Sequence, residues 1–118
     1  MRHKSNKRVL SRTRKGRSSL LRGLAVSLIN RGKIKTTTAK AKELRPFAEK
    51  LVTYGKKATV ASRRVAKSAL GESQSKVVKK LFDEIAPRFK DRQGGYTRII
   101  KMGKTASGRD EAVIEFVY

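Results

Sequence analysis

The 118-residue sequence has no cysteine and no tryptophan, and its first 42 residues include no acidic residue. Without cysteine, a disulfide framework, a thiolate nucleophile and a zinc finger are excluded. No apolar run approaches the roughly 18 residues that a membrane span requires. We expect no signal peptide, because the apolar stretch Val9-Leu10 is far shorter than an h-region.

The charge that is present is overwhelmingly positive. Lys and Arg number 31 against 9 Asp and Glu, for a net charge of +22. Residues 1–42 carry fourteen of these cations and no acid, whereas residues 43–118 carry seventeen cations and all nine acids. Such an excess predicts a polyanionic partner, most often nucleic acid and less often an anionic membrane surface. A transit peptide shares this composition, but residues 1–17 lack the apolar face of that amphipathic helix.

Residues 1–17 are predicted to form an extended basic arm, because a segment that repels itself so strongly cannot pack into a core. A solvated, disordered terminus is the alternative, but the single sign of the charge favours contact with phosphates. The arm residues predicted to bind RNA are Arg2, His3, Lys4, Lys7, Arg8, Arg12, Arg14, Lys15 and Arg17.

Residues 18–118 are predicted to form a single α+β domain of two layers, with a small three-stranded mixed sheet covered by about four helices. Apolar periodicity predicts helices over 18–31, 38–57, 59–70 and 73–86, and alternation predicts strands over 33–37, 96–102 and 111–118. We expect the late hairpin to pair with the early strand near Ile34.

Several local features refine this prediction. Ser18 or Ser19 is expected to cap the first helix and Thr38 the second. Pro46 predicts a kink or two helices in series, and Pro87 predicts the end of the last helix. In the third helix, the residues expected to face inward are Val60, Ala61, Val65 and Ala69.

Two clusters in this domain suggest further anion contacts. Thr36 and Thr37, with Thr38, begin a predicted helix and lie among lysines, which is the composition of an anion site; a helix cap with solvated lysines explains them equally well. Around Tyr96, cations could hold a nucleic-acid backbone, and we expect Tyr96 to pack at the sheet edge in preference to stacking on a base. The cations of the domain predicted to bind RNA are Arg22, Lys33, Lys35, Lys40, Lys42, Arg45, Arg63, Arg64, Lys90, Arg92 and Arg98.

No catalytic arrangement is visible in the sequence. Gly103-Lys104-Thr105 resembles the end of a phosphate-binding P-loop, but the required earlier glycine is replaced by Arg98 and strands flank it. His3 is the sole histidine and has no acid near it, and the nine acids are scattered. We therefore expect no enzymatic activity, no metal, no cofactor and no small-molecule substrate.

The run from Ile34 to Leu51, IKTTTAKAKELRPFAEKL, resembles the signature of the bacterial large-subunit ribosomal protein seventeen family. The opening MRH, the leucine-rich first helix, LFDEIAPRF at 81–89 and DRQGGYTRI at 91–99 match the same family in order. The resemblance covers nearly the whole chain. It implies an α+β protein that binds 23S ribosomal RNA on the solvent side of the large subunit near the exit tunnel, beside other ribosomal proteins, without enzymatic activity.

The sequence and the resemblance together predict a structural constituent of the large ribosomal subunit, cytoplasmic and located in the ribosome of a bacterium or an organelle. Its expected partners are 23S ribosomal RNA and neighbouring large-subunit proteins, with no membrane partner. Its arm would enter crevices between RNA helices while its cations neutralise phosphates. The alternative is a DNA-binding architectural protein of the nucleoid type, which needs a dimer face or a groove-inserting wedge that is not evident.

Overall fold

A computed structural model of the chain describes residues 14–118, and the side chains of residues 15–118. The predicted arm residues before Arg14 therefore lie outside the described residues. The elements are helix α1 Arg14–Arg31, strand β1 Lys33–Thr37, helices α2 Thr38–Lys57, α3 Val60–Leu70 and α4 Ser75–Lys80, a π-helical turn Leu81–Ile85, a 3-10 helix Ala86–Phe89, and strands β2 Thr97–Lys104 and β3 Asp110–Phe116.

The predicted α+β architecture is confirmed, with one change in the sheet. The strand order is β1-β3-β2, so the late hairpin does pair with the early strand, and Ile34 lies opposite Ile114. Both pairings are antiparallel, so the predicted mixed sheet is wrong. The hairpin makes β2 and β3 antiparallel, and β3 returns alongside β1 in the opposite direction, which leaves no parallel pair.

The core lies between one face of the sheet and the helices. Inward residues of β3 alternate as predicted, with Ala112, Ile114 and Phe116 buried. The helices contribute Leu28 and Leu51, among others, to the same cluster. No buried side-chain nitrogen or oxygen among the described residues lacks a hydrogen-bond partner, so the core is both apolar and satisfied.

Helix α1 begins four residues earlier than predicted. Ser18 and Ser19 are exposed residues inside the helix and not its N-cap. Arg and Lys are good helix formers, so the helix that the apolar face of residues 20–29 nucleates extends back through Arg14 and Lys15. The part of the predicted arm from residue 14 to residue 17 is therefore helical and not extended.

Helix α2 starts where predicted but is capped one residue earlier, because Thr37 has an extended backbone and its side chain accepts a hydrogen bond from the Lys40 N–H at 3.3 Å. The helix continues through Pro46 as a single element, so two helices in series is a wrong prediction. It ends at Lys57, and the C-cap residue Ala58 adopts the left-handed conformation and donates its N–H to the Tyr54 carbonyl.

Helix α3 buries a different face from the one predicted. Val60 and Val65 are 71% and 47% exposed, while Ser62, Ala66 and Leu70 are buried. Leu70 is the largest apolar side chain of the helix, so burying its stripe removes more apolar surface from water than burying the valines would. Buried Ser62 forms a capping box with Thr59, which satisfies its hydroxyl.

The predicted fourth helix is three short elements. Its inward residues, from Val77 to Ile85, are buried as predicted, but α4 ends at Lys80. The chain widens into a π turn, where the Ala86 N–H bonds to the Leu81 carbonyl, and then tightens into the 3-10 helix that holds Pro87. Proline has no N–H and its ring clashes with the preceding turn of an α-helix, so Pro87 changes the helix type here and does not end the helical path.

Candidate nucleic-acid interface

The first turns of the α-helices in this domain lack the negative side chains that are usual there. In globular proteins, Asp and Glu are enriched in the first turn, where they stabilise the positive end of the helix dipole. Helices α1, α2, α3 and α4 have no acid in their first turns. The positive ends of these helices therefore add to the potential of the side-chain cations, which attracts an external anion.

Helix α1 presents part of this charge to solvent. Lys15 and Arg22, both predicted RNA-binding residues, are exposed and lie seven residues apart, so they occupy the same side of the helix two turns apart. Arg17 is half-buried. The apolar side of the helix, with Leu28 and Ile29, packs into the core, and this fixes which way the cations point.

The start of α2 borders an open depression of about 470 Å³. Thr37, Thr38 and Lys42 come from the predicted threonine-lysine cluster, and Arg109 and Asp110 come from the hairpin. The pairing of Thr37 with Glu111 brings the hairpin to this helix start. Arg109 was not predicted, and its only signal in the sequence is a cation in a glycine-flanked loop. The depression combines two cations with one carboxylate, so it is only weakly positive.

Lys40 and Thr36 complete the cluster and are half-buried. The Thr37 hydroxyl is engaged as the helix cap, which supports the cap interpretation for this residue. The sequence left open whether these threonines form an anion site or a helix cap, and the structure assigns Thr37 to the cap. Lys42 remains exposed beside it.

Several predicted cations also have contacts within the protein. The Arg45 guanidinium lies 3.5 Å from Glu49 Oε2, and this same oxygen accepts hydrogen bonds from the Thr97 backbone N–H at 3.2 Å and hydroxyl at 2.9 Å. Glu49 thus connects α2 to β2. On α3, the Arg63 guanidinium lies 5.1 Å from the centre of the Phe82 ring, and the neighbouring Arg64 is exposed.

The loop between the 3-10 helix and β2 is held by its own side chains. Arg92 donates a hydrogen bond to the Gly95 carbonyl at 3.0 Å, and Lys90 is exposed beside it. Tyr96 is only 5% exposed, and its ring packs 5.1 Å from that of Phe89, so it is not available to stack on a base. The expectation that Tyr96 packs at the sheet is therefore confirmed.

Lys56, on α2, forms hydrogen bonds to the loop between the 3-10 helix and β2. Lys56 Nζ donates hydrogen bonds to the Tyr96 hydroxyl at 3.0 Å and to the Arg92 carbonyl. The hydrogen bond from Lys56 lowers the pKa of Tyr96 below its ordinary value, because the ammonium stabilises the phenolate. Lys56 therefore fixes the position of this loop against α2, a role that the sequence did not predict.

The remaining predicted cations, Lys33, Lys35 and Arg98, lie on the sheet. Each is exposed, but Lys35 Nζ lies 3.3 Å from Glu111 Oε1 and Arg98 Nε lies 2.9 Å from Glu115 Oε1. Among residues 14–118, the predicted site residues are therefore spread over α1, α2, α3, the loop before β2 and the sheet. The exposed cations of α1, the start of α2 and α3 suit a surface that neutralises phosphates and are unlike a site that encloses a small molecule, whereas Lys35 and Arg98 are each balanced by a glutamate.

Residues 14–118 contain no group of three or more His, Asp or Glu side chains that could hold a metal ion. Within the same residues, no helix is both long and apolar enough to cross a membrane. The P-loop reading of Gly103-Lys104-Thr105 is excluded by geometry, because β2 runs through Lys104 into the hairpin and no helix follows.

Known proteins that resemble this chain are proteins of the large ribosomal subunit. The family model described as Ribosomal protein L17 matches residues 20–117. Proteins named large ribosomal subunit protein bL17 are 50% identical in Thermodesulfovibrio yellowstonii and 52% identical in Sphingopyxis alaskensis, over 99% of this chain and 87% and 84% of those proteins. The bL17 of Hydrogenobaculum sp. is 49% identical over 99% of both chains. The chain therefore belongs to the ribosomal protein L17 family, which confirms the family predicted from its motifs.

Proposed function

We propose that this chain is a structural constituent of the large ribosomal subunit that binds and stabilises folded 23S ribosomal RNA. Membership of the L17 family supports its place in the subunit, and its relatives are named for that subunit. The observation that supports RNA binding is the excess of positive charge. The chain has 31 Lys and Arg but only 9 Asp and Glu, and residues 1–42 have no acid at all. The same family membership supports a ribosomal location in a bacterial cytoplasm and a non-enzymatic role.

The mechanism is neutralisation and positioning. Each Lys or Arg that contacts a phosphate releases condensed counterions, and RNA segments whose phosphates are neutralised can approach one another. Exposed Arg22 and Lys42 dock the domain without using an ion pair to any described residue. Residues 1–17, the last four of which form the start of α1, act as an arm that enters between RNA helices, where the rest of the domain is too wide to fit.

The salt dependence of binding tests this mechanism. Binding of the full chain to deproteinised 23S ribosomal RNA is measured as a function of salt concentration, with duplex DNA of equal length as the competitor. Changing Lys4, Lys7 and Arg8 to Gln together lowers the slope of log K against log salt by about 2.1–2.7, at about 0.7–0.9 for each phosphate contact. The matched control changes Lys67 to Gln, because this lysine already lies 3.7 Å from Glu72.

The proposal fails if the arm variant keeps the RNA affinity and salt slope of the unaltered chain, or if the purified chain does not co-sediment with large subunits. Equal affinity for duplex DNA and for ribosomal RNA would instead favour the architectural DNA-binding alternative.

A further inference from the structure

Within residues 14–118, one face of the sheet is not covered by the helices. Residues that alternate with the buried ones point to this side. We call it the open sheet face, and its members are Lys33 and Lys35 on β1, Glu111, Val113 and Glu115 on β3, and Arg98 and Ile100 on β2.

The open sheet face is nearly neutral, in contrast to the chain as a whole. Lys35 pairs with Glu111 at 3.3 Å and Arg98 pairs with Glu115 at 2.9 Å. Lys33 lies directly opposite Glu115 in the β1–β3 register, so Glu115 stands between two cations. Three cations against two acids leave a net charge of only +1 on this face, while the chain carries +22.

This charge pattern disfavours RNA at the open sheet face. A phosphate that approached Lys35 or Arg98 would have to displace a carboxylate that already satisfies the cation, and it would then lie beside that carboxylate. A cation without an anionic partner can neutralise a phosphate, and so release its condensed counterion, without first giving up a carboxylate. Glu111 and Glu115 lie on β3, the central strand of the sheet, so no part of this face is distant from negative charge.

Apolar side chains lie between these ion pairs. Ile100 is 44% exposed and pairs across the strands with half-buried Val113. Met102, the extra residue of the bulge two positions further along β2, is 57% exposed. An apolar centre with a polar rim of matched charges is the anatomy of a protein–protein interface.

The size of the face indicates what kind of protein can bind it. Three strands spaced by about 4.8 Å and five residues of about 3.3 Å each enclose only about 240 Å². A stable interface between free proteins buries about 800 Å² on each partner. The face is therefore too small to hold a second copy of this chain in solution. It suits a neighbour held on the same RNA, since tethering gives a weak contact a high effective concentration.

We propose that the open sheet face binds a neighbouring protein of the large subunit, through an apolar contact on Ile100 and Val113 and with its ion pairs at the rim. This inference rests on the proposed place of the chain in the large subunit. It gives Lys35 and Arg98 a role in balancing Glu111 and Glu115, distinct from the phosphate contacts of the helices.

Crosslinking in the assembled subunit tests the identity of the partner. The photoreactive residue benzoylphenylalanine is placed at position 100 of the full chain, large subunits are purified and irradiated, and the crosslinked peptides are sequenced by mass spectrometry. A crosslink to one other protein of the subunit is expected. The same residue at position 22, on the exposed side of α1, is the control and is expected to crosslink to RNA.

A crosslink from position 100 to RNA or to a second copy of this chain would overturn the inference, and so would its failure to crosslink in subunits that contain the chain. If the unaltered chain is absent from purified subunits, the proposed function itself fails. The two failures are thus distinguishable.

A binding measurement provides an independent test. In the salt titration with deproteinised 23S ribosomal RNA, changing Arg22 and Lys42 together to Gln should lower the slope by about 1.4–1.8. Changing Lys35 and Arg98 together to Gln should alter it by less than about 0.3, because both are already paired. Equal losses for the two double variants would overturn the inference. Exposed ion pairs contribute little to stability, so the sheet variant should fold, as circular dichroism can verify.

Discussion

The contact between Gly55 and Ala86 allows a sharp test of the packing described above. Gly55 is buried near the end of α2, where this helix crosses the 3-10 helix. A Cβ atom at position 55 would lie 2.6 Å from the Ala86 Cβ and 3.6 Å from the Leu81 carbonyl oxygen. Carbon atoms pack at about 3.5–4.0 Å, so the two elements would have to separate by about 1 Å. Both Cβ atoms are fixed to backbone and cannot rotate away.

Two effects of opposite sign act in Gly55→Ala. Alanine is favoured over glycine inside a helix by about 0.8–1.0 kcal/mol, and overpacking a core costs about 1–3 kcal/mol. Because the clash involves fixed atoms, we expect the upper part of the overpacking range and a net loss of about 1–2 kcal/mol. For a chain of this length, that lowers the melting temperature by roughly 4–8 °C.

Gly23 on α1 is the matched control. It is also a helical glycine, but it is exposed, and a Cβ there would have no neighbour within 4 Å. Gly23→Ala should therefore stabilise the chain by up to about 1 kcal/mol, the helix-propensity difference alone. Urea unfolding followed by circular dichroism measures both variants at the same ionic strength.

A double variant distinguishes the clash from other causes. Combining Gly55→Ala with Ala86→Gly removes the 2.6 Å contact and leaves only ordinary contacts at 3.6 and 3.7 Å with Leu81. The double variant should be more stable than the sum of the single changes implies, by about 2–3 kcal/mol, which is the cost of the clash alone. If Gly55→Ala were as stabilising as Gly23→Ala, the close crossing of these elements would be refuted.

Three further predictions concern single side chains. Changing Glu49 to Gln should lower the free energy of unfolding by about 1.5–3 kcal/mol, because it weakens charge-assisted hydrogen bonds to β2. Changing exposed Glu72 to Gln is the control and should cost less than about 1 kcal/mol. Urea unfolding measures both variants. In an ultraviolet titration, Tyr96 should ionise below pH 10 and Tyr118, whose pKa burial raises, above it; Tyr96→Phe should remove only the early step. Since the folded-state pKa of Tyr96 is the lower one, its ionisation adds stability as the pH rises towards 10, while that of Tyr118 removes stability above pH 10; a single common step would contradict both shifts. Changing Thr59 to Ala should cost about 0.5–2 kcal/mol through loss of the capping box, and no change in the urea midpoint would contradict that role.

The outline of the fold could be predicted because local patterns and tertiary packing agree over most of the chain. Apolar periodicity located the long helices, and alternation in β3 identified Ala112, Ile114 and Phe116 as the buried row. The pattern was ambiguous in α3, where alanine, serine and valine make several faces almost equally apolar. There the packing partners selected the stripe that ends in Leu70.

The candidate site, like the fold, could be predicted from the sequence only in part. Its cations are visible in the sequence, because a charged side chain is recognised without knowing its neighbours. Their partners are not visible, since Lys35 and Glu111 are 76 positions apart and meet only through the β1–β3 register. Arg109 likewise reaches the start of α2 only through the hairpin.

The sequence by itself determined the charge of this protein, its family and the order of its helices and strands, because these depend on residue identity and local spacing. Only the tertiary structure decided which cations remain unpaired and which are balanced by glutamates. It also decided that Tyr96 is buried and that the helices of the described residues leave one side of the sheet open. Ion pairing and burial depend on distances between residues far apart in the chain, and only packing sets those distances.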